Sequence, residues 1–248
     1  MITLEQVTDN VSYAVRKNKP FSLIRIGDGE GRILMFPDDI SRHMLNRHLR
    51  FWFGRVDFLK SDLLEMRERL LLAIQGADII GYSPKPKNEF WQYATAYCET
   101  FVRSRSWIKA TTINVHINLW KAGLFDGLLE HAKKVCLITC RKEVAEPFFN
   151  RFDPDSKWEE RTLWEIPEEY HTSEKENDHP EQFADYIKQI EANGAGWLYL
   201  VGAGILGKSY CHQAKMSGSV AVDIGSLFDA WAGVKSRSFM EDFSEYAL

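Results

Sequence analysis

The feature that most constrains this chain is an alternation that runs from end to end, in which short apolar runs of β-forming residues give way to stretches with helical spacing. The runs at residues 21–26, 77–83, 111–116, 134–140, 161–167, 197–201 and 220–224 read as strands. The first helix follows a Thr3 to Gln6 capping box, carries Leu4, Val7, Val11 and Val15 at helical spacing, and ends at Asn18-Lys19-Pro20. Further helices are expected over 62–75 (capped by Ser61 and stopped by Gly76), 88–104, 143–152, 181–193, 205–217 and from Ser226. Strands that take turns with helices pair in parallel through helical crossovers, which bury the sheet on both faces. The prediction is one α/β domain over residues 1–248, with a mostly parallel sheet and helices on both sides.

Bulk properties narrow the function classes. With 248 residues, 45% of them hydrophobic, the chain can bury a sizeable core. Lys+Arg 31 against Asp+Glu 35 leaves a net charge of -4 with both signs interspersed, so no field exists for wrapping nucleic acid or lying on an anionic membrane. The longest apolar runs, such as 197-WLYLV-201, fall far short of the roughly 20 residues that span a bilayer. Residues 1–10 are polar and lack the pattern of a signal peptide, which makes the cytoplasm the expected location. Cys136 and Cys140 share one face of a strand with no second ligand pair for zinc, so they and Cys98 and Cys211 read as buried free thiols. The polar stretch 168-EEYHTSEKENDHP-180, with Tyr170, His171 and His179, reads as a solvated lid loop.

Ligands of parallel α/β sheets bind outside the carboxyl ends of the strands, where two glycine turns of this sequence fall. The second turn, 202-GAGILG-207, has the G-x-G-x-x-G spacing, and Asp223 stands at the end of the next strand, as in a dinucleotide fingerprint. Only 25 residues follow Asp223, too few for the further βα units of a nicotinamide or flavin domain, so no redox cofactor is expected. Two readings stay open: glycines that let a helix pack on its strand, or a turn that holds another phosphate-bearing ligand at the helix N-terminus. The first turn, 27-GDGEG-31, also has two readings. Asp28 is a helix N-cap with Glu30 complementing the dipole, or both carboxylates converge on a hard divalent cation, with Arg25 near enough to pair with phosphate.

Two segments, 22-SLIRIGDGE-30 and 199-YLVGAGILGKSYCHQAKMSGSVAVDIGSLFDAWAG-233, together resemble the bacterial GT-D-type glycosyltransferases, a Rossmann-like family with a D-x-E motif. The resemblance implies transfer of a hexose, typically glucose, from a UDP-sugar donor to a hydroxyl of a glycan or glycoconjugate. It places the D-x-E on Asp28 and Glu30, implying a role with the donor and with Mn2+ or Mg2+, Asp28 being the preferred ligand. Donor-binding residues would be Arg25, Gly27, Gly29, Gly202, Gly204, Gly207, Lys208 and Ser226, the last within the 223–233 lip. The candidates for the general base are Glu30, Asp223 and His116, in that order. Asn118, Trp231 and Arg237 are weaker candidates for ligand contact. A nucleotide-sugar-binding module without transfer, and an NAD-linked oxidoreductase using the second turn, are the alternatives.

Overall fold

The computed structural model describes residues 1–237 and 242–248. Its strands are β1 (Phe21–Arg25), β2 (Ile79–Tyr82), β3 (Lys109–Thr112), β4 (Lys134–Thr139), β5 (Glu160–Glu165), β6 (Trp197–Gly202) and β7 (Val220–Asp223). The helices of the first half are α1 (Leu4–Arg16), α2 (Asp28–Met35), α3 (Arg42–Phe53), α4 (Lys60–Gly76), α5 (Glu89–Ser104) and α6 (Val115–Lys121). Those of the second are α7 (Asp126–Leu129), α8 (Ala145–Phe152), α9 (Tyr170–Ser173), α10 (His179–Asn193), α11 (Gly207–Met216) and α12 (Leu227–Trp231).

The seven strands form one sheet in the order β3-β2-β1-β7-β6-β4-β5, and every neighbouring pair is parallel. Because side chains alternate across a strand, each apolar run serves two cores. Ile24, Cys136, Ile138, Tyr199 and Val201 face α2, α3, α4, α5, α10 and α11. Leu23, Val135, Leu137, Leu198 and Leu200 face α1, α6, α7, α8 and α12. Both layers are apolar and buried, which is why 197-WLYLV-201 is an unbroken apolar run rather than an alternating one. The strands of the N-terminal half (β1 to β3) meet those of the C-terminal half (β4 to β7) at the β1–β7 border, where Leu23 lies opposite Val222.

Several local expectations shift. The strand expected at 111–116 is Lys109–Thr112, because its partner β2 ends at Tyr82, opposite Thr112. The chain turns at Ile113-Asn114, and His116 lies in the first turn of α6. Ser61 does not cap α4; the Asp62 carboxylate accepts the Leu59 N–H at 2.8 Å instead. The helix α3 was not anticipated, and the polar stretch is more ordered than a solvated loop. His179 is 5% exposed at the start of α10, with Nε2 2.8 Å from the Tyr210 hydroxyl, and burial pushes its pKa down to about 4. His171 stacks on Phe51, centroids 4.0 Å apart. The four cysteines are free thiols, and burial pushes Cys140 up to about 12. Among the described residues, no helix is long and apolar enough to cross a membrane.

Candidate functional site

The β1–β7 border ends in an ion pair. Arg25 closes β1 and Asp223 closes β7, and Arg25 Nη2 donates to Asp223 Oδ1 at 2.9 Å. Arg25 Nε also donates to the Asp223 carbonyl at 3.1 Å. From the first turn of α11, Lys208 Nζ reaches Asp223 Oδ2 at 3.3 Å and Glu30 Oε1 at 2.7 Å, and donates to the Gly204 carbonyl at 2.9 Å. Glu30 Oε2 accepts the Gly27 N–H at 2.9 Å. The result is a buried row of alternating charge, Glu30, Lys208, Asp223, Arg25, whose two carboxylates balance its two cations. Burial alone would push Asp223 up; Arg25 and Lys208 overcome it and hold the carboxyl below its usual range. Burial likewise opposes the charge on Lys208, and Asp223 and Glu30 win, raising its pKa.

His116 stands behind this row, 2% exposed. Arg25 Nη1 lies 3.1 Å from its Nδ1 and 3.0 Å from its Nε2, and Nε2 is 3.3 Å from Ser226 Oγ. Burial and the nearby Arg25, Arg237 and Lys208 charges push its pKa well below the ordinary imidazole value, so the ring is neutral at physiological pH.

Asp28 occupies a different environment. The N-cap of α2 is Gly27, so Asp28 is the first helical residue and not the cap. Positions i and i+2 of a helix point about 200° apart, and the two acids of the motif accordingly diverge. Asp28 Oδ2 accepts from Arg32 Nη1 at 2.8 Å, with the Asp28 side chain 43% exposed to the cleft. Burial pushes its carboxyl up, but Arg32 and the Trp91 indole hold it below the usual range. The Trp91 Nε1 beside Asp28 is buried and lies 3.6 Å from where a Cβ on Gly27 would stand.

These groups line a cleft of about 740 Å3 along the carboxyl edge of the sheet. It gathers Arg25, Gly27, Asp28, Gly29, Glu30, His116, Gly202, Gly204, Lys208, Asp223, Ser226 and Arg237. Gly207 is outside it; its α-carbon packs on β6, where an added Cβ would stand 3.1 Å from Val201. Trp231 is also outside, edge-on to Phe125, Phe228 and Trp120 in the core. Gly204 has φ +52°, a conformation that favours glycine, and its open α-carbon makes room for the Glu169 carboxylate.

Glu169 and Arg141 escape the sequence reading. Glu169 lines the cleft just beyond β5, with Oε2 3.3 Å from His171 Nδ1, and its side chain is 30% exposed. Burial, with the Asp229 and Glu30 charges, raises its pKa against the pull of Arg237 and Lys208. Arg141, two residues past β4, is tied to Asp229 at 2.8 Å and to Glu168. Both lie within four residues of a strand's carboxyl end, which is the one signal in the sequence that could have singled them out.

With this geometry in view, comparison with known proteins is decisive at the level of family. The GT-D fold-like domain matches residues 2–231. The chain belongs to that family. Its members' fold recurs in a protein from Streptococcus sanguinis described as a new glycosyltransferase (domain of unknown function 1792), 15% identical, covering 94% of this chain and 85% of that one at a TM-score of 0.53. A selenomethionine-substituted structure of domain of unknown function 1792 is 13% identical, with coverage of 95% and 88% and a TM-score of 0.53. A third, described as having a distinct glycosyltransferase fold, is 13% identical over 95% and 88% at 0.52. No curated protein matches the sequence. The GT-D-like chain thus carries a glycosyltransferase fold, as its two motifs suggested. Its sheet is entirely parallel, a stronger form of the expected mostly parallel one.

Proposed function

We propose that this GT-D-like protein transfers a hexose, glucose in the first instance, from a UDP-sugar to a hydroxyl of a glycan or glycoconjugate. The observation that carries the reading is the contrast between the two acids of the D-x-E motif inside one cleft. Glu30 has both oxygens engaged, by Lys208 and by the Gly27 N–H. Asp28 has one oxygen on Arg32 and the Trp91 indole beside it, and its side chain stays 43% exposed to the cleft. Mg2+ and Mn2+ commonly take one or two protein carboxylates and complete their shell with substrate phosphates and water. Asp28 fits that role; Glu30, locked in the charge row, acts as a positioning residue that fixes Lys208 and the start of α2.

The charge of the cleft explains why a cation suits it. Its floor is neutral in sum, with Glu30 and Asp223 balanced by Lys208 and Arg25. Arg32 is likewise balanced by Asp28. A departing UDP needs positive charge beyond this, and a divalent ion on Asp28 would supply it. Lys85 and Lys87, at the rim of the same cleft, add to it. Asp223 and His116 brace Arg25, and the neutral, buried ring of His116 leaves no route to a substrate hydroxyl. Glu169 is the better base: it lines the cleft, and a carboxyl that burial raises above its usual range is more basic than an unperturbed one.

The NAD alternative loses its key contact, because both Asp223 oxygens are held by Arg25 and Lys208 and neither is available to a ribose hydroxyl. Thermal unfolding with UDP, UDP plus Mn2+, and NAD tests the reading. At a hundredfold excess over Kd, UDP with Mn2+ should stabilise the fold by about 2.7 kcal/mol. Asp28→Asn should abolish the increment due to Mn2+, read against the variant's own apo melting temperature. Stabilisation by NAD and none by UDP would sink the proposal. Turnover of UDP-, GDP- and dTDP-sugars then names the donor.

A further inference from the structure

A second cavity, about 760 Å3, opens between α3 and the start of α5, on the far side of Arg32 from the charge row. Its wall is strongly basic. His43, Arg47 and Arg50 stand at i, i+4 and i+7 of α3, so they share one face of that helix. Arg32 and His48 complete the set, with Glu89 as its one carboxylate. Among the described residues, no carboxylate lies within 4.0 Å of Arg47 or Arg50.

An arginine-bearing helix face is ordinarily just a solvated surface, and two observations argue against that here. The first is Arg32, a residue 8% exposed whose guanidinium stacks 3.9 Å over the Phe90 ring, yet whose buried Nε has no hydrogen-bond partner. A buried guanidinium N–H left without an acceptor is costly, and a ligand oxygen in the cavity would satisfy it. The second is continuity: Arg32 and His48 line both this cavity and the donor cleft, and Arg32 is bonded to Asp28 one helical turn away. A molecule anchored here therefore reaches the carboxylate assigned to the donor and its metal.

We propose that this cavity is the acceptor subsite, and that it selects an acceptor carrying a phosphate ester, held by Arg47, Arg50 and Arg32 while its hydroxyl projects past Asp28 into the donor cleft. Guanidinium forks match phosphate oxygens two at a time, which a solvated lysine does not, and the volume suits a sugar phosphate. His48 contributes no charge of its own: burial, with Arg32 and Arg47 working against Asp28, pushes its pKa down to about 4. The inference rests on the transferase reading above, and the test separates the two.

The measurement is titration calorimetry with glucose 6-phosphate, glucose, glucuronate and inorganic phosphate, with UDP and Mn2+ saturating so that the donor cleft is filled. Wild type is compared with an Arg47→Ala, Arg50→Ala double variant, whose sites are exposed and outside the donor cleft. Glucose 6-phosphate should bind at least tenfold more tightly than glucose. The double variant should lose at least tenfold of that affinity while binding UDP with Mn2+ as wild type does. Equal affinity for glucose and its phosphate, or a double variant that binds the phosphate undiminished, overturns the proposal; so does glucuronate binding as tightly as the phosphate. Failure of UDP to bind the wild type overturns the donor reading and the acceptor role with it. Titration without UDP then shows, by its dependence on Arg47 and Arg50, whether the anion site stands alone.

Discussion

Replacing Lys208 with methionine tests the charge row at its centre. The substitution keeps the volume of the side-chain stem and deletes the ammonium, leaving Glu30 and Asp223 as carboxylates at 9% and 2% exposure. Asp223 keeps Arg25 at 2.9 Å, but Glu30 loses its one cationic partner among the described residues, which stands at 2.7 Å. Removing one member of a buried ion pair typically costs about 3–5 kcal/mol, because the partner is left charged and unpaired. At about 2–4 °C per kcal/mol for a chain of this size, the melting temperature at pH 7.5 should fall by roughly 6–20 °C. The loss should depend on pH in a fixed direction. In the wild type the folded Asp223 pKa lies below its unfolded value, so its contribution is present above about pH 4 and is lost as pH falls through the folded value. In Lys208→Met, Asp223 loses one of the two cations that favour its ionised form, so it protonates at higher pH, and the deficit relative to wild type shrinks on acidification. Urea melts of both proteins at pH 7.5 and pH 5 would show it. A deficit below about 1 kcal/mol at pH 7.5, or one that does not shrink at pH 5, would refute the reasoning, since it would mean the carboxylates find solvent when Lys208 is gone. Adding Glu30→Gln to Lys208→Met should recover part of the loss.

Two more outcomes follow from particular contacts. Glycine to alanine within a helix usually stabilises by up to about 1 kcal/mol, but Gly31→Ala should lower the melting temperature, because the new Cβ would stand 2.1 Å from the Phe90 carbonyl oxygen and force α2 off α5. A melting temperature equal to or above wild type would show that the two helices are not in that contact. Glu169→Gln should reduce kcat by about 10²- to 10⁴-fold with little change in KM. Because a base works deprotonated, wild-type activity should fall as pH drops through a value above the ordinary glutamate range, and the variant's residual activity should lack that acid limb. Retention of the limb would assign the base elsewhere.

The fold was legible because its strands are buried on both faces, so 197-WLYLV-201 and 220-VAVDI-224 could only be interior strands, and the glycines after them had to lie at the carboxyl edge. The same logic led to Arg25, Asp28, Glu30, Lys208 and Asp223, which do share one cleft. What the sequence could not show is which of these charges cancel. Lys208 and Asp223 are far apart along the chain; that they sit 3.3 Å apart, with Glu30 on the other side of the ammonium, depends on β1 lying beside β7. Glu169 was hidden for the opposite reason. It belongs to a stretch so polar that solvation was the natural reading, and only the packing of Gly204 beneath its carboxylate reveals the contact. The His116 error is one of register: four residues of strand pair with β2, and the chain bends into α6 once the partner runs out.

The D-x-E spacing takes on a different meaning once it lies on a helix rather than on an extended turn. In an extended strand, side chains at i and i+2 project to the same side and can share a ligand. On the first turn of α2 they part, so a motif that reads as a bidentate clamp becomes two single-carboxylate devices. Glu30 faces inward and joins the folding core, where its charge is cancelled by Lys208. Asp28 faces the cleft, restrained by Arg32 but still exposed. Loss of the two acids should therefore differ in kind. A neutral residue at 30 is felt first in stability, through Lys208, whereas a neutral residue at 28 removes from the cleft a carboxylate open to a cation. The glycine between them has a steric reason as well, for a Cβ on Gly29 would stand 3.0 Å from the Trp52 ring that walls the cleft. The sequence D-G-E is thus the shortest way to place one acid in the core and one in the cleft while leaving room for the aromatic wall between them.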